Sequence, residues 1–153
     1  MTFSIYSLGC KVNIYESNAL KNELESKGYI VSDIASDCDA FVINTCSVTN
    51  QADAKSRKMI RKCQSLNPNA IICVMGCYSQ TNEEAKKLDG IDILIGNGNK
   101  KKAIRLLEEK LNNNDNVKQV DILDILNHHV YEQLDITTFD HTRAFVKIED
   151  GCE

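Results

Sequence analysis

Seven cysteines stand in the 153-residue chain: Cys10, Cys38, Cys46, Cys63, Cys73, Cys77 and Cys152. Three share a kind of position. Cys10, Cys46 and Cys77 each follow an apolar run: Phe3 to Leu8, Ala40 to Ile43, and Ala70 to Met75. Three thiolates suit an iron–sulfur cluster or zinc. A [4Fe–4S] cluster usually takes four cysteines, so three would leave one iron open to a substrate. Zinc would want a fourth ligand or an open catalytic position. Three thiols packed as small hydrophobes are the competing reading. No C-x-x-C pair decides among them. The other cysteines read as structural. Cys63 falls on an apolar helix face and Cys73 inside an apolar run. Cys38 lies between Asp37 and Asp39, whose charges should raise its thiol pKa.

The elements that would position these thiols alternate. Phe3 to Leu8 reads as a first strand. Asn13 and Glu16 have capping-box spacing for a helix that runs to about Lys27 and stops at Gly28. Tyr29 to Val31 is a short second strand. Ala40 to Ile43 is continuously apolar, as a parallel strand buried on both faces would be. A helix over Gln51 to Leu66 carries Ala52, Met59, Ile60, Cys63 and Leu66 near one face, and Asn67-Pro68 ends it. Ala70 to Met75 is the fourth strand. Thr81 and Glu84 form a second capping box for a helix reaching Gly90. Ile91 to Ile95 is the fifth strand, and Lys100 to Leu111 the fourth helix.

Strand–helix alternation implies an α/β fold, a five-stranded parallel sheet flanked by helices. The flavodoxin/Rossmann-like order 2-1-3-4-5 fits best. Ligands in such sheets bind at the carboxyl edge, at the switch point. Cys10, Cys46 and Cys77 would lie there on three neighbouring strands, the outer two about 10 Å apart. Loops could close that gap, so separations of 36 and 31 residues could converge on one point.

Residues 112–142 are polar and irregular, with one strand near Val117 to Ile122, and read as a linker. Arg143 to Glu149 alternates like a strand and runs into Asp150-Gly151-Cys152. We therefore expect one domain over 1–111, a linker over 112–142, and the start of a truncated domain over 143–153. The chain reads as a fragment of a longer protein.

Leu8-Gly9-Cys10-Lys11-Val12-Asn13-Ile14-Tyr15-Glu16-Ser17 resembles the opening motif of the radical S-adenosylmethionine (SAM) methylthiotransferases. Asn44-Thr45-Cys46-Ser47-Val48-Thr49-Asn50 resembles their second cysteine motif, and Gly76-Cys77-Tyr78-Ser79-Gln80 their third. Arg143 to Cys152 is similar to the run into their radical SAM domain. The motifs span nearly the whole chain in the right order. Lys11-Val12-Asn13 and the run Thr49 to Arg57 are most similar to the branch acting on threonylcarbamoyladenosine in tRNA. The branches for isopentenyladenosine in tRNA and for a ribosomal protein are the alternatives.

The resemblance implies that Cys10, Cys46 and Cys77 hold an auxiliary [4Fe–4S] cluster. Cys152 would be the first cysteine of the C-x3-C-x2-C pattern that holds a second cluster in a partial (β/α) barrel. The other two cysteines of that pattern and a C-terminal RNA-binding domain are absent from these 153 residues. The chain alone should therefore be inactive. In the implied reaction one SAM methylates sulfur held at the open iron. A second SAM yields a 5′-deoxyadenosyl radical that abstracts hydrogen at C2 of the adenine, and the methylthio group transfers. The implied partners are a tRNA anticodon loop and the missing domains.

Composition narrows the alternatives. Apolar residues make up 42% and charged residues 26%, a globular balance that excludes bulk disorder. No apolar run approaches the ~20 residues of a membrane span. The opening residues lack a basic n-region, so a cytoplasmic protein with reduced thiols is expected. The net charge is −4, so nucleic-acid contact would need a local patch. Lys55, Arg57, Lys58, Arg61 and Lys62 are the candidate patch, against a plain solvated helix face. Lys100-Lys101-Lys102 opens a helix where the dipole disfavours cations, and solvation is its only evident account. His128, His129 and His141 read as surface. Gly96-Asn97-Gly98 reads as a turn without the dinucleotide fingerprint. Asn13 either caps its helix or bonds near the cysteines, and capping is the favoured reading. A non-catalytic metal or redox module is the alternative of another class. A nucleotide-binding domain with incidental cysteines is a third.

Overall fold

The structure, a computed structural model, describes residues 1–33, 37–113, 117–124, 133–138 and 145–148. Its elements are β1 (Thr2–Ser7), α1 (Lys11–Ser26), β2 (Ile30–Val31), β3 (Ala40–Thr45), α2 (Asn50–Leu66) and β4 (Ile71–Gly76). They continue with α3 (Cys77–Thr81), α4 (Glu83–Lys87), β5 (Ile93–Ile95), α5 (Lys102–Asn113) and β6 (Gln119–Asp121). All strand pairs are parallel, in the order β2-β1-β3-β4-β5-β6. The α/β class and the 2-1-3-4-5 core are as expected. The strand near Val117 to Ile122 is β6, and it joins the sheet as a sixth member, beside β5.

Period-two alternation divides the core in two. Phe3, Ala40, Val42, Cys73, Met75, Ile93 and Ile95 point to one face, against Leu20 and Leu24 of α1 and Ile104 and Leu107 of α5. Phe41, Ile43, Ile72, Val74 and Leu94 point to the other, against Ile60 and Cys63 of α2, Tyr78 of α3 and Ala85 of α4. Every residue of β3 is buried, which is why it reads as an unbroken apolar run. The chain leaves β1 toward β2 and returns on the opposite side with β3. The switch point therefore lies between β1 and β3.

Three local expectations are corrected. The residue before α1 is Cys10, and Asn13 sits inside the first turn, so it does not cap the helix. The helix expected from Thr81 to Gly90 is the shorter α4, over Glu83–Lys87, and the separate helix α3 ends at Thr81 just before it, with Asn82 between them. Asn82 caps α4 by accepting from Glu84 N–H at 2.9 Å, while the Thr81 hydroxyl donates back to the Cys77 carbonyl. The lysines opening α5 are not simply solvated. Lys100 is buried and ion-paired to Glu16, and Lys102 pairs with Asp121 at 3.1 Å. The latter contact binds β6 to the start of α5.

The segment read as a strand over Arg143 to Glu149 is described only at 145–148, where no strand pairing occurs. Its side chains still alternate: Lys147 is buried, while Val146 and Ile148 are exposed. Lys147 reaches Glu16 at 3.1 Å, and Lys11 lies over the Phe145 ring at 5.7 Å. Cys152, His128, His129 and His141 lie outside the described residues. Among the described residues no helix is long and apolar enough to cross a membrane.

Candidate metal centre

β1, β3 and β4 are consecutive neighbours, with Ser7 opposite Asn44, Asn44 opposite Met75 and Thr45 opposite Gly76. Cys10, Cys46 and Cys77 lie one to three residues past those strand ends. All three occupy the carboxyl edge, with Cys10 and Cys46 flanking the switch point. Cys10 is exposed, Cys46 buried and Cys77 half-buried.

Two glycines let the strand ends crowd together. Gly9 has φ +110°, and a Cβ there would overlap the Cys46 Cβ and stand 2.9 Å from its Sγ. Gly76 has φ +103°, and a Cβ there would overlap the Thr45 carbonyl oxygen and stand 2.8 Å from Asn44 Oδ1. Both φ values lie where L side chains are strained.

Polar cross-links then bind each cysteine loop to the next. Asn13 Nδ2 donates to the Leu8 carbonyl at 2.7 Å and the Thr45 carbonyl at 2.9 Å. It joins the chain before Cys10 to the chain before Cys46. Cys10 Sγ donates to Asn13 Oδ1 at 3.6 Å. Asp53, in the first turn of α2, accepts from Ser47 Oγ at 2.5 Å and from Asn82 Nδ2 at 3.1 Å. It joins the residue after Cys46 to the end of the helix that opens with Cys77. Ser56 Oγ donates to the Cys46 carbonyl at 3.3 Å, and Thr45 Oγ1 donates to the Met75 carbonyl at 2.7 Å. Asn97, after β5, donates from Nδ2 to Cys77 Sγ at 3.5 Å.

Glu16 lies behind this edge. It accepts from Lys100, Lys147 and, at 3.3 Å, Asn44 Nδ2, all buried. Sequence reasoning missed Glu16, Asp53 and Asn97 as organisers. Asp53 carried a signal, since it lies within the second cysteine motif's extension.

Among the described residues no three His, Cys, Asp or Glu side chains stand together as a metal-holding group. The backbones share the edge, and a common metal would require the three thiols to turn toward one another. Their donor chemistry fits a soft centre: three sulfurs on adjacent strand ends, held by loops linked in series. The remaining described cysteines are of another kind. Burial, reinforced by Asp39 and Asp37, pushes the Cys38 thiol up to about 11. Burial pushes Cys63 and Cys73 up to about 12. Such thiols stay protonated and unreactive.

Of the candidate basic patch, Lys55, Lys58, Arg61 and Lys62 are exposed and Arg57 is half-buried on α2. The helix starts at the cysteine edge, where Thr49 caps it by accepting from Ala52 N–H at 3.1 Å.

Residues 2–96 match the family described as uncharacterized protein family UPF0004. The chain belongs to that family. It is 39% identical over 153 residues to the threonylcarbamoyladenosine tRNA methylthiotransferase MtaB of Bacillus subtilis, covering 99% of this chain and 34% of the relative. It is 35% identical to MtaB of Aquifex aeolicus, covering 99% of this chain and 37% of the relative. It is also 31% identical to the tRNA-2-methylthio-N(6)-dimethylallyladenosine synthase of a Sulfurihydrogenibium species, covering 100% of this chain and 36% of the relative. The UPF0004 chain thus spans about a third of the length of these curated relatives. The methylthiotransferase resemblance carried by the three cysteine motifs is borne out at this level.

Proposed function

We propose that the chain is the cluster-bearing N-terminal part of a radical SAM tRNA methylthiotransferase. Its substrate would be N6-threonylcarbamoyladenosine next to the anticodon, modified at C2 of the base. The observation that carries this reading is the match, over 99% of this chain and about a third of the relatives, to proteins named for that activity, at up to 39% identity. The match to dimethylallyladenosine synthases at 31–32% identity supports isopentenyl-type adenosine as a second reading.

Cys10, Cys46 and Cys77 would supply the three thiolates of an auxiliary [4Fe–4S] cluster. When bound, that cluster would supply an iron position not taken by the protein, where sulfur destined for the base can be held. Asn13 and Asp53 hold the cysteine loops in fixed relation. Cys46 lies under the Gly9 backbone, which limits water around its sulfur. The cations of α2 would meet tRNA phosphates and orient the anticodon loop toward the cysteine edge. Cys152 would be the first ligand of a second cluster that binds SAM. The 153 residues hold one cysteine of that pattern, so by themselves they are proposed to bind and not to catalyse. Cytoplasmic tRNA sets the proposed location.

Nucleoside analysis of tRNA from cells lacking the gene tests the substrate. Loss of the methylthio group from threonylcarbamoyladenosine supports the first reading. Its loss from the isopentenyl-type nucleoside supports the second. Unchanged tRNA contradicts both and favours a non-catalytic metal module. Lys55→Glu, Lys58→Glu and Lys62→Glu combined should weaken tRNA binding and flatten its salt dependence. Unchanged binding would return α2 to a plain solvated face.

A further inference from the structure

The turn after β5 is built around one contact. Asn97 Nδ2 donates to Cys77 Sγ at 3.5 Å. The Asn97 N–H donates to Gln80 Oε1 at 3.0 Å, and Gln80 Nε2 donates to the Leu123 carbonyl at 2.9 Å. Gln80 lies on α3, the helix that opens with Cys77. The turn and the cysteine are therefore locked together. Gly96 makes this possible, since a Cβ there would overlap Gln80 Oε1.

The other end of the Asn97 amide is an anomaly. Oδ1 is buried and has no hydrogen-bond partner among the described residues. A buried oxygen without a donor is unfavourable, so the oxygen does not select this orientation. The N–H toward sulfur is the hydrogen bond this side-chain amide makes among the described residues. A protonated thiol could meet either end of an amide. A metal-bound thiolate has no proton and can only accept, so it needs the N–H.

Asn13 shows the reverse arrangement at Cys10. Its Nδ2 is committed to two carbonyls, and its Oδ1 accepts from the thiol. That bond serves a protonated sulfur and is lost on metal binding. Among the described residues, Cys77 is the one of the three whose sulfur accepts a side-chain N–H.

We propose that Asn97 is a positioning residue for the iron–sulfur centre, its side-chain N–H bonding Cys77 Sγ and raising the centre's reduction potential. The inference rests on reading Cys77 as a metal ligand. An N–H dipole aimed at a ligand sulfur favours the reduced, more negative state, which raises the potential.

The test uses the 153-residue chain reconstituted anaerobically with iron and sulfide. Iron is counted, and the midpoint potential is read by an EPR-monitored redox titration. Asn97→Leu and Asn97→Ala remove the donor, while Asn97→Gln keeps one. The donor-free variants should hold parental iron at a lower potential, and Asn97→Gln should recover most of the shift. Loss of iron from both donor-free variants with retention in Asn97→Gln also supports the role. Parental potential in a fully loaded donor-free variant overturns it. So does Asn97→Gln behaving like Asn97→Leu. A parent chain that takes up no iron overturns both this inference and the ligand reading beneath it.

Discussion

The two sets of cysteines share one sheet and its helices and live in opposite environments. Cys38, Cys63 and Cys73 are sealed in the two apolar layers, where desolvation holds them as thiols. Cys10, Cys46 and Cys77 lie at the carboxyl edge, among amides, hydroxyls and two left-handed glycines. Cys73 and Cys77 are four residues apart, one inside β4 and one just beyond it. Residue type therefore says little about a cysteine's chemistry, and its place relative to the strand end says much.

The largest expected effect falls on the edge's backbone. Gly76→Ala would combine an unfavourable φ with overlap on the Thr45 carbonyl, costing about 4 kcal/mol in urea unfolding. A cost under ~1 kcal/mol would mean that the two strand ends are not crowded. Asn13→Ala comes next. It strands the Leu8 and Thr45 carbonyls and should cost about 2–3 kcal/mol.

Paired serine substitutions separate the two cysteine sets directly. Cys73→Ser buries a hydroxyl in the apolar layer and should cost about 2 kcal/mol, with iron uptake retained. Cys10→Ser is exposed and should change stability by less than about 0.5 kcal/mol while impairing iron uptake. Reversal of this pattern would erase the distinction.

A further expected effect is alkaline. Folded-state thiols at about 11–12 lie above the ordinary value of 9.0, so folding favours their protonated form. Their contribution is full below about pH 9 and is lost as pH climbs from there through about 11–12. Unfolding free energies measured across that window should fall less steeply in a Cys63→Ala, Cys73→Ala variant. An identical slope would contradict the burial argument.

Much of this was legible from local pattern. β3 and β4 carry apolar runs because helices cover both faces, β1 mixes Phe3, Ile5 and Tyr6 with serines, and the cysteines follow all three within one to three residues. What escaped was long-range or marginal. A strand near Val117 to Ile122 could be read, but not its place as a sixth member of the sheet, because β6 is three residues long and its one apolar residue, Val120, is exposed. The burial of Lys100 depends on Glu16, 84 residues away, and no local window contains both. Asn13 satisfied a capping pattern by spacing, yet its amide crosses to the Thr45 carbonyl 32 residues on. The Asn97 contact with Cys77 escaped for the same reason, whereas Asn13 bonding near the cysteines was the less favoured of two readings and is the one the structure shows.

The central claim is that Cys10, Cys46 and Cys77 hold one cluster. The chain should be reconstituted anaerobically with iron and sulfide beside a Cys10→Ala, Cys46→Ala, Cys77→Ala variant shown to be folded. About four irons and four sulfides per parent chain, absent from the variant, is the predicted result. No metal in the parent, or equal metal in both, would contradict it.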